Sequence, residues 1–203
     1  MIEKPRDVSF EEIRNVLQQA HSVNFQKGII MHTTELNAQE LEKYLGDEGK
    51  CYIALDGNKI VGTGSLRIRE KYEWFVQGRY VDEILVGILP EYSGKHIYSA
   101  LYNAIELYAK ENNYSTILFN TASKNRRKQR AGLKKGFKYV SYFVAEDNDH
   151  YSVVMAKWLD GRKVNRFRLW YLYNRRKWSI ILRYKPGKVK RFSRLSDIIK
   201  NNK

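Results

Sequence analysis

The chain has 203 residues, which is enough for one compact domain with an appendage and too few for two full domains. Hydrophobic residues make up 43% and aromatic residues 13%, a composition that supplies a buried core and excludes a wholly disordered chain. The formal net charge is +15, and the C-terminal stretch from Trp158 to Lys203 holds 15 of the basic residues against 2 acidic ones, so a nearly neutral body precedes a strongly basic tail.

Two predicted helices open the chain, and each begins with a capping box. Ser9 is followed three residues later by Glu12, and Asn37 is followed at the same spacing by Glu40. In this motif each of the two side chains accepts a hydrogen bond from the backbone amide of the other residue, which satisfies helix-end groups that would otherwise lack partners. The sequence therefore predicts two helices ahead of the main strands.

A β-hairpin is predicted next, with strands 51–55 and 59–69 around a turn that contains Asp56 and Gly57. The following strand, 80–89, has apolar residues on both faces of its pleat. A strand of this kind is buried on both sides, so it belongs inside a sheet and not at its edge.

The rest of the body alternates helices and strands. A helix begins near Ile97, and a strand at 114–120, a basic helix at 125–135 and a final strand pair at 137–145 and 151–158 follow. The order of elements predicts a mixed α/β (α+β) domain over 1–158. We expect 159–203 to form a separate basic, aromatic C-terminal extension.

Several classes of protein are disfavoured by what the sequence lacks. Cys51 is the single cysteine, which excludes an internal disulfide framework, and the four histidines do not have metal-ligand spacing. There is no apolar run of about 20 residues and no signal-peptide core at the N-terminus. We therefore expect a cytoplasmic protein without a metal site.

The loop between strand 80–89 and the next helix is the first candidate binding site. A strand that passes through a short polar loop into a helix collects backbone amides and the positive end of the helix at one point. Such a point suits a phosphate or pyrophosphate group.

The order of several motifs along the chain narrows the kind of binding site that this loop could form. Strand 80–89 and its loop are followed by Asn125 at the head of a helix and then by Gly136-Phe137. This order resembles the GNAT superfamily of acyl-CoA-dependent N-acyltransferases over residues 8–158. The resemblance implies a mixed, mostly antiparallel sheet flanked by helices, and acetyl-CoA or another short acyl-CoA as the acyl donor.

The resemblance also implies a set of cofactor-binding residues. Residues 93–98 correspond to the pyrophosphate loop of the family, although Ser93, His96 and Tyr98 replace its usual Arg or Gln, its first glycine and its second small residue. Glycines in this loop let the backbone approach the pyrophosphate closely. The predicted cofactor-binding residues are Val86, Gly87, Ile88, Ser93, Gly94, Lys95, His96, Ile97, Tyr98 and Asn125.

Two adjacent carboxylates, Asp82 and Glu83, begin the buried strand and are expected on opposite faces of the sheet. Carboxylates on a buried strand are rare unless they are paired or functional. The resemblance places Glu83 near the carboxylate that acts as general base through a water molecule. The alternative is a structural salt bridge with Arg79 or Arg67.

An oxyanion-stabilising site is implied beside Gly87 and Ile88, where the fourth and fifth strands of the family diverge. We expect Gly87 to form a β-bulge at this point. The tyrosine that often protonates the leaving thiolate is replaced here by Gly132. Tyr139 or Tyr142 are the alternatives, and a third is that the thiolate leaves without a proton donor.

The resulting functional hypothesis is an N-acyltransferase that moves acetyl, or another short acyl group, from acyl-CoA to a primary amine by direct attack. Candidate acceptors are amino sugars, including lipid- or nucleotide-linked ones, polyamines, antibiotics and protein amines, and the positive net charge favours an anionic carrier around the amine. The alternative is a catalytically weakened GNAT-like binding module that uses its basic tail on nucleic acid or an anionic membrane.

The tail interleaves cations with aromatics from 165 to 184, and three interpretations remain open. It forms a helix that docks on the body or lies on a membrane, a pair of strands, or a nucleic-acid surface. Docking on the body, or on a second copy in a homodimer, is favoured for the aromatics. The helical interpretation places one set of residues on a common face: Phe167, Trp170, Tyr171, Asn174, Trp178 and Ile181.

Overall fold

A computed structural model of the chain describes residues 2–3, 5, 8–26, 32–145 and 150–184. The helices are α1 (Phe10–Gln26), α2 (Ala38–Leu45), α3 (Ile97–Glu111), α4 (Arg126–Lys134) and α5 (Arg166–Arg183). The strands are β1 (Ile2–Glu3), β2 (Lys50–Asp56), β3 (Lys59–Glu73), β4 (Val76–Ile88), β5 (Thr116–Ala122), β6 (Lys138–Ala145) and β7 (His150–Trp158).

The described residues fall into two compact units. The described residues within Met1–Phe119 and Ala156–Lys163 form the first unit, and those within Asn120–Met155 and Val164–Lys203 form the second. Strands follow the order β1-β2-β3-β4-β5 in the first unit, and β7 lies between β5 and β6 in the second. Neighbours from β1 to β4 pair in antiparallel fashion, whereas β4 and β5 are parallel. The predicted mixed, mostly antiparallel sheet flanked by helices is confirmed.

Both predicted capping boxes are present. The Ser9 hydroxyl accepts a hydrogen bond from the Glu12 amide at 3.2 Å, and the Glu12 carboxylate accepts from the Ser9 amide at 2.8 Å. Asn37 and Glu40 make the reciprocal pair at 2.9 and 2.8 Å. These local contacts start α1 and α2 where the sequence places them, because they involve residues only three apart.

Helices α1 and α3 pack on opposite faces of the sheet, and glycines permit both contacts. A Cβ on Gly64 of β3 would lie 3.2 Å from Leu101 of α3, and a Cβ on Gly87 of β4 would lie 3.1 Å from Leu17 of α1. Side chains at these positions would push the helices away from the strands. The core on the α1 face is formed mainly by these residues: Ile13, Val16, Leu17, Leu36, Leu41, Leu45, Ile53, Ile84, Leu85 and Leu89.

The β3–β4 hairpin is longer than the sequence pattern predicts. The pairing continues outward from the predicted strands until Glu73 faces Val76. Most of the residues that extend the hairpin are polar and exposed, although Val76 is buried, so the segment lacks the alternation on which strand prediction depends.

The basic, aromatic tail is helical from Arg166 to Arg183, and Asn165 caps this helix by accepting from the Arg168 amide at 2.9 Å. Its buried side chains are Leu169 and Ile180. The face predicted for docking was therefore wrong, because most of the aromatics on that face are exposed and aliphatic residues on another side are buried.

Candidate functional site

A β-bulge interrupts β4 just before its C-terminal end. Thr63 of β3 faces Gly87, whereas Ser65 faces Ile84, so a single β3 residue lies opposite the two residues Leu85 and Val86. Leu85 has a φ of 48°, in the left-handed region that side-chain-bearing residues rarely adopt. The bulge is thus present, but its predicted position at Gly87 was wrong, because Gly87 is needed for the close approach of α1.

His21 of α1 holds the bulge from one side. Its Nε2 lies 3.0 Å from the Val86 carbonyl oxygen, and its Nδ1 lies 3.0 Å from Nδ2 of Asn24. Since a carbonyl oxygen only accepts, Nε2 carries the proton and Nδ1 accepts from the Asn24 amide. This contact orients the backbone at Val86. It could not be predicted from the sequence, because α1 and β4 are distant in the chain.

Pairing between β4 and β5 is short. The register joins Val81 to Ile117 and Asp82 to Leu118. On its other side β4 remains paired with β3 as far as Ile88. The β4 residues after Asp82 therefore continue past the last residue that pairs with β5, which agrees with the expected divergence of the two strands near Gly87 and Ile88.

The predicted pyrophosphate loop forms an exposed turn between β4 and α3. Residues 93–96 are all exposed. Gly94 has a φ of 86° with open space around its Cα, and His96 has a φ of 59° immediately before the helix. The first intrahelical bond of α3 runs from the Ala100 amide to the His96 carbonyl, so the amides of the first turn precede it and point toward the loop. This geometry fits an anionic group at the head of α3.

Side chains tie this turn to the β2–β3 hairpin. The Tyr92 hydroxyl donates to Asp56 at 2.7 Å, and Lys59 forms an ion pair with Glu91 at 3.0 Å. The ammonium of Lys95 lies 4.5 Å from the centre of the Tyr92 ring. The loop is thus anchored at its start, and Lys95 adds positive charge beside its exposed amides.

Tyr98, which replaces a small residue in the first turn of α3, is directed toward the sheet. Its hydroxyl hydrogen-bonds with the carboxylate of Glu83, and its ring lies 6.3 Å from that of Tyr102. Burial, the charge of Glu83 and this hydrogen bond raise the pKa of Tyr98, so the phenol stays protonated and donates. Tyr98 therefore occupies space beneath α3 and leaves the exposed turn at 93–96 open.

The two carboxylates lie on opposite faces of β4, as expected, and have different partners. Asp82 accepts two hydrogen bonds from Arg67, at 2.8 and 3.0 Å, and Arg79 pairs with Glu48. Both arginines considered as structural partners of Glu83 therefore bind other carboxylates. Glu83 is 5% exposed and contacts Tyr98 instead.

A second buried polar contact lies farther along α3. The Tyr102 hydroxyl lies within the electrostatic influence of Glu106, and Glu106 forms an ion pair with Lys157 at 2.7 Å. Burial acts to raise the pKa of Glu106, but hydrogen bonds from Lys110 and Lys157 outweigh it and lower the pKa to about 2. The inner face of α3 therefore carries Tyr102 and Glu106 beside the apolar Leu101, Ile105 and Ala109.

Asn125 and Tyr139 lie in the second unit. Asn125 caps α4 by accepting from the Lys128 amide at 3.2 Å, and its Nδ2 donates to Thr121 of β5 at 3.1 Å. The Tyr139 hydroxyl donates to Oε1 of the buried Gln129 at 3.1 Å. Asn125 thus caps a helix and Tyr139 binds a buried amide, so both residues have structural contacts whatever their part in catalysis.

The tyrosines of β6 form an aromatic cluster with α5. The rings of Tyr139 and Tyr142 lie 5.2 and 6.3 Å from the Tyr173 ring, and Tyr142 lies 5.4 Å from Tyr151. Burial raises the pKa of both Tyr139 and Tyr142. Within the described parts of the chain, no group of three His, Cys, Asp or Glu side chains is placed to hold a metal ion.

The sequence was also compared with protein families and with functionally curated proteins. Residues 10–137 match the model of the acetyltransferase (GNAT) family. No functionally curated protein matches the sequence significantly.

Solved structures share the fold at low sequence identity. An aminoglycoside 6′-N-acetyltransferase complexed with coenzyme A is 15% identical, with a TM-score of 0.57 over 81% of this chain and 100% of that one. A ribosomal-protein-alanine N-acetyltransferase from Brucella melitensis is 14% identical, with a TM-score of 0.60 over 78% and 100% of the two chains. A GNAT family acetyltransferase from Elizabethkingia anophelis with acetyl-CoA bound is 15% identical, with a TM-score of 0.56 over 78% and 96%.

Proposed function

The chain belongs to the GNAT acetyltransferase family, and on this basis we propose that it transfers an acetyl or other short acyl group from acyl-CoA to a primary amine. The observation that carries the proposal is the exposed turn at 93–96, where backbone amides and the start of α3 converge. Acyl-CoA supplies an activated thioester carbonyl. The amine attacks this carbonyl directly, so no covalent enzyme intermediate is required.

The proposed role of the turn is to bind the pyrophosphate of CoA through main-chain amides. Gly94 has the positive φ that a tight approach requires, and His96 adopts the left-handed conformation at the position that is glycine in the family. Histidine tolerates this conformation better than most residues do. The substitution at 96 is therefore compatible with the backbone geometry of the loop.

The proposed role of the bulge is to direct main-chain groups at Val86, Gly87 and Ile88 toward the thioester and the pantetheine arm. An amide donor at this point would stabilise the negative charge that develops on the carbonyl oxygen. The hydrogen bond from His21 to the Val86 carbonyl supports this role, because it holds the bulge in one conformation.

We propose Glu83 as the base that accepts the proton of the attacking amine through a water molecule. The supporting observations are its burial, its position two residues before the bulge and its hydrogen bond with Tyr98. Tyr139 is the proposed proton donor to the leaving thiolate, and Asn125 the proposed contact to the pantetheine arm. Both roles come from the family resemblance.

The proposed acceptor is a primary amine of an amino sugar, a polyamine or a protein. Proteins of similar fold are described as acting on aminoglycosides and on ribosomal-protein alanine, so the fold serves acceptors of different size. The net charge of +15 favours an acceptor in which the amine is carried on an anionic molecule.

The decisive experiment combines cofactor binding with a screen of acceptors. Acetyl-CoA at a hundredfold excess over its Kd should stabilise the folded chain by about 2.7 kcal/mol and raise its unfolding temperature. Release of free thiol from acetyl-CoA should then be measured with amino sugars, nucleotide-linked amino sugars, polyamines and peptides. Absence of both effects would leave the alternative, a GNAT-like module in which the changes at His96 and Tyr98 have abolished cofactor binding.

A further inference from the structure

A stripe of large apolar side chains runs along the solvent side of α5. Phe167, Tyr171, Trp178 and Leu182 are 74, 51, 57 and 79% exposed. With about 100° of rotation per residue, these four residues, which we call the outer stripe, fall within about 60° of the helix circumference. Single exposed hydrophobic residues are common on protein surfaces, but several large ones on one face of a helix point to an interaction site.

The outer stripe is not needed to hold the helix in place. Leu169 and Ile180 are buried, and Tyr173 stacks on the aromatic cluster of β6. These residues lie roughly opposite the outer stripe, by the same rotation per residue. The helix thus has one face that packs on the protein and a second apolar face that meets solvent.

Positive charge surrounds the outer stripe. Helix α5 contains no Asp or Glu, and Arg168 and Arg175 border the outer stripe along one edge. The sequence from 185 to 203 adds seven basic residues and one acidic residue. The six cations of the helix itself are Arg166, Arg168, Arg175, Arg176, Lys177 and Arg183.

We propose that α5 lies in the headgroup region of an anionic phospholipid membrane, with the outer stripe immersed and the flanking arginines bound to lipid phosphates. Trp, Tyr and Phe are the side chains that favour this interface, and neighbouring cations strengthen binding to anionic lipids. Among the residues that the structure describes, no helix is long and apolar enough to cross a membrane. The proposed contact is peripheral, with α5 lying along the membrane surface.

Two other occupants fit the helix less well. A second copy of the chain, related by a twofold axis, would bring six positive charges against six, and α5 offers no carboxylate to neutralise them. A nucleic acid would pair with the arginines and stack on the aromatics. The aliphatic Leu182, 79% exposed in the same row, has no role on such a surface.

The proposal is tested with the full chain and vesicles of phosphatidylcholine, either alone or with about one third phosphatidylglycerol. Binding is measured by co-sedimentation, and insertion by the blue shift of tryptophan fluorescence. We expect binding to the anionic vesicles alone, together with a blue shift, and weaker binding when salt is raised from about 0.05 M to about 0.5 M.

Variants separate the apolar contribution from the electrostatic one. The double variant Phe167→Gln/Trp178→Gln should lower partitioning to anionic vesicles by at least about tenfold. Leu107→Gln, at a residue of α3 that is 56% exposed, is the matched control and should bind normally. Arg168→Gln/Arg175→Gln should lower partitioning by about fivefold or more for each charge removed.

The control for the charge variant is Lys43→Gln/Lys134→Gln, which removes two positive charges outside α5. It should lower partitioning to anionic vesicles less than Arg168→Gln/Arg175→Gln does.

Equal binding to neutral and anionic vesicles would overturn the proposal, as would normal binding by the Phe167→Gln/Trp178→Gln variant. The proposal would also be wrong if the Phe167→Gln/Trp178→Gln variant were a monomer in sedimentation velocity and the unmodified chain a dimer. It would be wrong, too, if the unmodified chain did not bind vesicles but bound RNA in a salt-sensitive way, and the variant lost that RNA binding. None of these measurements depends on acyl transfer.

Discussion

Tyr98 of α3 hydrogen-bonds with Glu83 of β4, and this contact joins the first turn of the helix to the strand that it follows. The tyrosine replaces a small residue of the family loop, yet its ring lies beneath the helix and not over the exposed turn. The same contact gives the proposed base a protonated donor as its neighbour. A single side chain thus connects the cofactor-binding proposal with the catalytic one.

We predict that Glu83→Gln lowers the turnover number by at least about a hundredfold and changes the Kd for acetyl-CoA less than about threefold. The amide keeps the shape of the carboxylate but cannot accept the proton. Tyr98→Phe is the matched control, because it removes the hydroxyl and leaves the carboxylate, so its loss of turnover should be smaller. Turnover measured by thiol release and Kd measured by calorimetry decide this, and an unchanged turnover in Glu83→Gln would remove the base role.

At position 96 we predict that two substitutions change the free energy of unfolding to different extents. Replacement of His96 by glycine should change the free energy of unfolding by less than about 1 kcal/mol, because glycine adopts a φ of 59° without strain but adds freedom to the unfolded chain. Replacement by valine should cost about 1–2 kcal/mol, because a branched side chain is disfavoured in the left-handed region. Urea unfolding checks both values.

The same two variants test the loop as a cofactor site. If main-chain amides bind pyrophosphate, acetyl-CoA should bind His96→Gly at least as tightly as the unmodified chain and should bind His96→Val more weakly. Isothermal calorimetry measures both affinities. A large loss of affinity in His96→Gly would instead assign the binding to the imidazole side chain.

The buried pair between Arg67 and Asp82 should be important for stability. Arg67→Met leaves the Asp82 carboxylate without its counter-charge, and we expect a loss of about 3 kcal/mol at pH 7. Burial raises the pKa of Asp82 even with Arg67 present, and loss of the arginine removes the main influence that lowers it. Arg79→Met, which breaks the exposed pair between this β4 residue and Glu48, is the control and should cost much less.

The pH dependence of the Arg67→Met variant follows from the sign of this shift. A carboxyl group whose pKa is higher in the folded than in the unfolded chain favours folding at low pH, and that contribution is lost as pH rises through the folded-state pKa. The deficit of Arg67→Met relative to the unmodified chain should therefore shrink between pH 7 and pH 5. A deficit that grows on acidification would contradict a buried, uncompensated Asp82.

Tyr139→Phe should affect both stability and turnover. The buried Gln129 loses the hydroxyl that donates to its Oε1, which should cost about 1 kcal/mol in urea unfolding. If Tyr139 protonates the thiolate, the turnover number of the Tyr139→Phe variant should also fall several-fold more than that of Tyr142→Phe. Tyr142 belongs to the same aromatic cluster and serves as the control. Equal turnover in the two variants would show that Tyr139 has only a structural role.

Much of the architecture could be read from the sequence because the signals are local. The capping boxes at Ser9 and Asn37 involve residues three apart, and the turn at Asp56-Gly57 is contained in the hairpin that it closes. The placement of Asp82 and Glu83 on opposite faces follows from the two-residue period of a strand. The loop before α3 was likewise identified from consecutive residues.

The tertiary structure decided what depends on residues far apart in the chain. The bulge lies at Leu85 and Val86, whereas Gly87 keeps its register with Thr63 of β3 and packs closely against α1. Arg67 could have joined either neighbouring carboxylate, and only the pleat of the assembled sheet directs it to Asp82. For α5, periodicity alone offers several apolar faces, and contact with β6 determines which one is buried and which one remains at the surface.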